Sequence, residues 1–247
     1  LMIKHKSLLS IAIGNKNTLK ANPNPTYIGL VYLNEGGKNK LEYDRNVESL
    51  SSFISNSKTR FFMIPVSMEY QDSGAHYNLL LGDKNTGIIE RFEPYGAVVK
   101  EKVHDNFDKD FKNFLKSNDL DYEYKIPKDF IQQKGFQELE ELQINNKVGS
   151  VRSNDYRGYC GMWSIWFIEM KMRNPDLPSD KLLKKALSEM KKLKINRNDT
   201  FTYRKFVRNY KEHIITMRKQ IMREGGVNCD VDGKSPDYQT FKRCAKV

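Results

Sequence analysis

The segment CGMWSIWFIEMKMR, residues 160 to 173, constrains the fold more than any other. As a helix it turns Met162, Trp163, Ile165, Trp166, Phe167, Ile168 and Met170 through almost every direction and leaves hardly any polar face. Such a helix is stable only when other elements enclose it, so it belongs at the centre of a domain. Pro175 ends it, because proline lacks the N–H that a continuing helix needs. The helix opens at Cys160, within Gly158-Tyr159-Cys160-Gly161. A cysteine in that place is either core packing or a nucleophile.

The elements that enclose it are readable from periodicity. RFFMIPVSMEY, from Arg60, reads as a buried strand. HYNLLLGDKNTGIIERFEPYG, from His76, holds two apolar runs separated by the turn formers Asp83, Lys84, Asn85 and Thr86, the signature of a hairpin. Val103, Phe107, Phe111 and Phe114 recur at helical spacing over residues 101 to 117. LDYEYKIP reads as a short strand, and DFIQQKGFQELEELQ is open between helix and loop. Helices are expected at 179 to 194, capped by Ser179, and at 200 to 223, with a core stripe of Phe206, Tyr210, Ile214, Met217 and Ile221. Residues 1 to 58 read as a peripheral segment with one strand at Tyr27 to Leu33 and a polar, serine-rich stretch, ESLSSFISNSK. The expected organisation is that segment, a domain over 59 to 224 and a C-terminal tail over 225 to 247.

Composition narrows the setting. Three cysteines, widely spaced and without a C-x-x-C pair, fit free thiols in a reducing compartment and make a zinc site improbable. No run reaches the ~18 apolar residues of a membrane span, so the expectation is an intracellular protein that is not secreted. The 42 Lys and Arg against 31 Asp and Glu give a net charge of +11. That excess suits either a solvated lysine-rich surface or contact with nucleic acid.

The hairpin brings chemistry to one place. With a turn at 83 to 86, Gly82 opposes Gly87, and counting back along the strands sets His76 opposite Glu93. Opposed residues share a face with Cβ atoms ~5 Å apart, so the carboxylate can hold the imidazole by one ring nitrogen. A slip of one residue would separate them. Cys160 at a helix N-terminus supplies the third member, since the helix dipole and a nearby imidazolium both favour a thiolate. Gly158 and Gly161 leave room for a substrate backbone, and the Cys160 N–H with the Asn154 amide would form an oxyanion hole.

His76, Glu93 seventeen positions on, and a distant Cys at a helix start resemble the adenain and ubiquitin-like-protein-specific (SUMO protease) group of cysteine peptidases. More narrowly, the His76–Gly96 stretch, GFQ at 135 to 137 and GYCGMWSIWF followed by NP resemble the version encoded by large double-stranded DNA viruses. The resemblance covers about 60 to 175. It implies His76 as general base, Glu93 as its orienting acid and Cys160 as nucleophile. It departs from the SUMO protease pattern where Tyr77 replaces a Trp, Tyr159 an Asp, and Asn154 stands in the place of the oxyanion Gln. Gln137 serves that role instead if the intervening segment loops back.

The expectation is therefore an α+β cysteine protease of the papain-like, adenain-like kind. It has a central, mainly antiparallel sheet, the Cys160 helix packed on it and further C-terminal helices. It would hydrolyse peptide or isopeptide bonds of viral precursors or ubiquitin-like conjugates, without metal or organic cofactor, in the virion or host cytoplasm. The alternative is a non-catalytic structural or scaffolding protein of the virus particle. The two Gly-Gly pairs, Gly36-Gly37 and Gly225-Gly226, resemble cleavage sites of such proteases, but a turn and a helix C-cap explain them better.

Overall fold

A computed structural model describes residues 9–11, 30–35, 38–42, 47–70, 74–97, 102–131, 134–145, 159–192 and 202–224. The strands are β1 (Leu9–Ile11), β2 (Leu30–Glu35), β3 (Lys38–Glu42), β4 (Phe61–Tyr70), β5 (Gly74–Asp83), β6 (Ile88–Phe92) and β7 (Glu123–Lys125). The helices are α1 (Val47–Asn56), α2 (Lys102–Ser117), α3 (Phe136–Asn145), α4 (Cys160–Arg173), α5 (Ser179–Lys192) and α6 (Tyr203–Glu224). Among the described residues no helix is long and apolar enough to cross a membrane.

One sheet, ordered β3-β2-β4-β5-β6-β7, divides the molecule, and β1 continues the β2 edge of β4. The sheet is mainly antiparallel at its centre, as expected, with shorter parallel pairings that make it mixed. β2–β3, β4–β5 and β5–β6 run antiparallel, whereas β1–β4, β2–β4 and β6–β7 run parallel. Parallel partners come from segments far apart in the chain, which strand periodicity does not reveal.

Alternation along the central strands sends side chains to two cores. Phe61, Leu79, Leu81 and Phe92 meet Trp163, Trp166, Phe167, Ile168 and Met172 of α4, with α5 and α6 closing the layer behind. Phe62, Ile64, Val66, Met68, Leu80 and Ile89 meet Val103, Phe107, Phe111, Phe114 and Leu115 of α2 on the opposite face. Helix α4 is thus sandwiched as its composition requires, and the Phe92 and Phe167 rings stack with centroids 4.3 Å apart. Trp163 is fully buried and Trp166 nearly so, and each large side chain buried in this way contributes about 1.5–3 kcal/mol.

Several local expectations change. The segment before residue 59, expected to be peripheral, supplies β1, β2, β3 and α1, and its Leu30, Tyr32, Leu50 and Ile54 lie in the α2-side core. The serine-rich stretch is helical because Leu50, Phe53 and Ile54 sit at helical spacing among the serines. Ser179 is the first residue of α5 rather than its cap, and its hydroxyl donates to Glu90. The α6 stripe enters the core through Tyr203 and Val207, with Phe206 and Tyr210 packed at its edge. The proposed tail over 225 to 247 lies outside the described residues.

Candidate active site

The hairpin turn occupies 84 to 87, one residue later than expected. Gly87 closes it with φ of 64°, a backbone conformation that glycine adopts without a Cβ penalty. Gly82 consequently opposes Ile89, so the register differs from the expected one by two residues. A shift of two keeps every side chain on its face, where a shift of one would have reversed it. His76 and Glu93 are therefore diagonal neighbours beyond the last rung, Leu79–Phe92, and His76 Nε2 lies 2.6 Å from Glu93 Oε1.

With Nε2 committed to the carboxylate, Nδ1 is the nitrogen left for Cys160, and the His76 side chain makes a hydrogen bond to that cysteine. The backbone N–H groups of Tyr77 and Gly161 also donate to the sulfur. Cys160 is the first residue of α4, so its thiolate gains from the N–H groups and positive dipole of a helix start. Burial raises the thiol, but the hydrogen bond and charge of His76 and the two N–H groups outweigh it and bring it below its ordinary value. Burial likewise opposes charge on His76, yet the Glu93 carboxylate and the bond to Cys160 push the imidazole up to about 10. Burial opposes the Glu93 charge too, and His76 nevertheless holds that carboxyl down to about 2. The arrangement favours a thiolate–imidazolium pair.

Glu93 is anchored further by the Tyr95 N–H, 2.9 Å from Oε1, and the Tyr95 ring lies against His76 with centroids 5.2 Å apart. The Tyr95 hydroxyl donates to Glu141 of α3 at 2.6 Å. Behind Glu93, Arg91 forks onto Asp108 of α2 through Nε and Nη2, both at 2.8 Å, and Nη1 donates to Asn78 at 2.8 Å.

Helix α3 joins two motifs distant in sequence. The Gly135 N–H donates to Tyr95 O at 2.7 Å and the Gln137 N–H to Pro94 O at 3.0 Å. A Cβ on Gly135 would stand 2.2 Å from Pro94 O, so only glycine permits this approach. The interlock places Gln137 beside the Glu93–Tyr95 loop, 2% exposed and with Oε1 unpartnered. Phe136 packs on Trp163 at 5.1 Å between centroids, and Glu140 accepts from Trp163 Nε1 at 3.1 Å. Arg204 of α6 donates to Glu140 at 2.8 Å and lies 5.2 Å from the ring of Tyr159, the residue before the cysteine.

His76, Glu93 and Cys160 are thus brought together. Gly161 lies in the first turn of α4 with open space where a Cβ would stand. Asn154, Gly158 and the glycines of both Gly-Gly pairs lie outside the described residues. Sequence reasoning missed Arg91, Tyr95 and His104. Tyr95 carried a signal, since it directly follows Glu93-Pro94 in the stretch that bears the resemblance, whereas Arg91 and His104 carried none. Among the described residues no group of three or more His, Cys, Asp or Glu side chains is placed to hold a metal ion.

No family model matches the chain. Over 190 residues, 72% of its length, the chain is 28% identical to a protein of Acanthamoeba polyphaga mimivirus named "Putative ankyrin repeat protein", and it spans 23% of that protein. Among solved structures, the Chlamydia abortus effector protein ChlaDUB aligns with 63% of this chain and 68% of its own, at 13% identity and a TM-score of 0.28. A likeness of that size carries no argument about fold or function.

Proposed function

We propose that this chain is a cysteine peptidase that cleaves peptide or isopeptide bonds through a thioester. The observation that carries the reading is the contact chain from Cys160 through His76 to Glu93 at the N-terminus of a buried helix. The Cys160 thiolate attacks the scissile carbonyl carbon, and His76 passes its proton to the departing amine as the C–N bond breaks. Water then attacks the thioester while His76 takes its proton, releasing the acid and restoring the thiolate. Glu93 keeps the imidazole oriented and its charge compensated. The Cys160 N–H and the Gln137 amide would stabilise the oxyanion, and open space at Gly161 suits a substrate backbone close to the sulfur.

Substrates are protein, either viral structural precursors or ubiquitin-like conjugates, on the strength of the sequence motifs. The viral setting rests on those motifs and on the viral origin of the mimivirus relative. Lys184, Lys185, Lys191 and Lys192 of α5 and Lys211 and Lys219 of α6 are exposed, and their charge would suit contact with nucleic acid. Binding there should survive Cys160→Ala and weaken steeply with salt.

The test uses ubiquitin and SUMO bearing a C-terminal fluorogenic amide, alongside a library of fluorogenic peptides. Turnover that disappears in Cys160→Ala, with a thioester or vinyl-sulfone adduct mapped to Cys160, supports the reading. No turnover of any substrate together with no adduct at Cys160 would overturn it in favour of a scaffolding role.

A further inference from the structure

His104 is a buried titratable group that the proposed chemistry does not use. It lies in the first turn of α2, 2% exposed, with its ring centroid 6.1 Å from that of His76. Its Nδ1 stands 3.4 Å from Glu93 Oε2. A protonated His104 would therefore rival His76, because it would place a second imidazolium on the same carboxylate. Oε2, which has no hydrogen-bond partner, is the acceptor such a proton would seek.

Arg91 decides the matter. A guanidinium only donates, and Arg91 Nη1 lies 3.1 Å from His104 Nδ1, so that nitrogen presents its lone pair and the ring is neutral. Two acceptors then face each other across the 3.4 Å to Oε2, which is why no hydrogen bond forms there. Arg91 cannot drift from this position. Its Nε and Nη2 are fixed by Asp108, its Nη1 also donates to Asn78, and the Tyr124 hydroxyl of β7 holds Asp108 from behind at 2.5 Å.

Among the charged and titratable groups that face His104 are His76 from β5 and Arg91 and Glu93 from β6 and its continuation, with Asp108 and Asn78 bound to Arg91 beside them. Arg91 pairs closely with Asp108 and more distantly with Glu93, whose Oε2 lies 3.7 Å from Nη1, and Glu93 is the anion that draws a proton toward His104. Burial opposes that proton first, and the charges of Arg91 and His76 oppose it further, holding the imidazole down to about 3.

We propose that Arg91 is a positioning residue that keeps His104 neutral, so that Glu93 serves His76 alone. The inference rests on the peptidase reading for its functional meaning, but the charge state of His104 can be measured without any substrate. With four histidines in the chain, ring Cε1 resonances can be assigned by single His→Gln variants and followed by NMR from pH 4.5 to 8. In the native protein His104 should not titrate in that range.

Arg91→Met/Asp108→Asn removes the buried pair together and avoids stranding one charge. In it His104 should titrate at a higher pH than in the native protein, though still below its ordinary value of about 6.5, because burial and the charge of His76 remain. Cys160 alkylation, level in the native protein, should then fall about tenfold between pH 7.5 and 4.5, as Glu93 is drawn from His76 and the thiolate–imidazolium pair loses its compensating charge. Adding His104→Gln should abolish that fall, an outcome that a merely structural role for Arg91 would not produce. A native His104 that titrates near 6.5, or an acid fall that persists with His104→Gln, would overturn the proposal. An ordinary Cys160 thiol beside a non-titrating His104 would instead sink the peptidase reading and leave the charge state of His104 standing.

Discussion

The two ends of α4 both gather buried charge, yet they complete it differently. At the C-terminal end, Lys171 is 7% exposed and donates to Leu177 O at 2.6 Å, and Glu90 accepts from Ser179. Arg60 forks onto Asp83 with both bonds at 3.1 Å and reaches Asp176 at 2.6 Å. A cation in the last turn of a helix is where the dipole favours it. These groups line a cavity of about 260 Å³, but each has found a partner within the fold. At the N-terminal end the helix dipole favours an anion, and the group placed there is a thiol beside an imidazole. Glu93 Oε2 and Gln137 Oε1 are left without hydrogen-bond partners at this end. Buried charge alone therefore does not mark a site. What separates the ends is that one network is closed, whereas the other keeps two buried acceptors unpartnered on the Cys160 side.

Substitutions at the two ends should consequently separate activity from stability. Glu93→Gln keeps the shape and removes the charge that orients His76, and should lower kcat by roughly 10³–10⁴, read with whichever conjugate proves to be turned over. The same variant has an acid signature. The folded Glu93 value of about 2 lies below the unfolded value of about 4.3, so ionised Glu93 adds stability above pH ~4.3 and loses it as pH falls toward about 2. The stability difference between the native chain and Glu93→Gln, from urea titrations, should narrow across that window. A constant difference would place the carboxylate outside the ion pair.

Gln137→Ala tests the side chain proposed as an oxyanion donor, a role its Nε2 would fill, since the unpartnered Oε1 only accepts. It should lower kcat by roughly 10²–10³ while leaving the pH dependence of Cys160 alkylation unchanged, because an oxyanion donor acts after the sulfur is already charged. A shift in the alkylation profile would mean that Gln137 supports the thiolate instead. At the closed end, Lys171→Met should lower unfolding free energy by about 1–3 kcal/mol, with kcat changed less than twofold. A loss of turnover as large as that of Gln137→Ala would erase the distinction between the ends.

The proximity of His76, Glu93 and Cys160 could be read from sequence because its signals are local and tolerant of error. The His76–Glu93 relation survived a turn placed one residue early, since the resulting two-residue shift conserves the face on which each side chain lies. The apolar helix from Cys160 to Arg173 could be read because no solvated helix carries that composition. What stayed hidden depends on contacts between distant segments. The pairing of Leu30 with Val66 brings β2 into the sheet, and nothing within either segment announces a parallel partner. Arg91 and His104 look like ordinary surface residues of a strand and a helix until α2 docks and buries both. Gln137 became a candidate beside Asn154 only through resemblance, and its place follows from Gly135 allowing α3 to lock onto the loop after Glu93.

The most direct test of the central claim is the pH dependence of Cys160 alkylation by iodoacetamide, with Cys229 and Cys244 replaced by Ser, in that background and with His76→Ala. The account predicts substantial reaction near pH 6 that falls by roughly 100-fold on removal of His76, as the thiol returns toward its ordinary value of about 8.5. Reaction that rises only near pH 8.5 and is the same without His76 would contradict it.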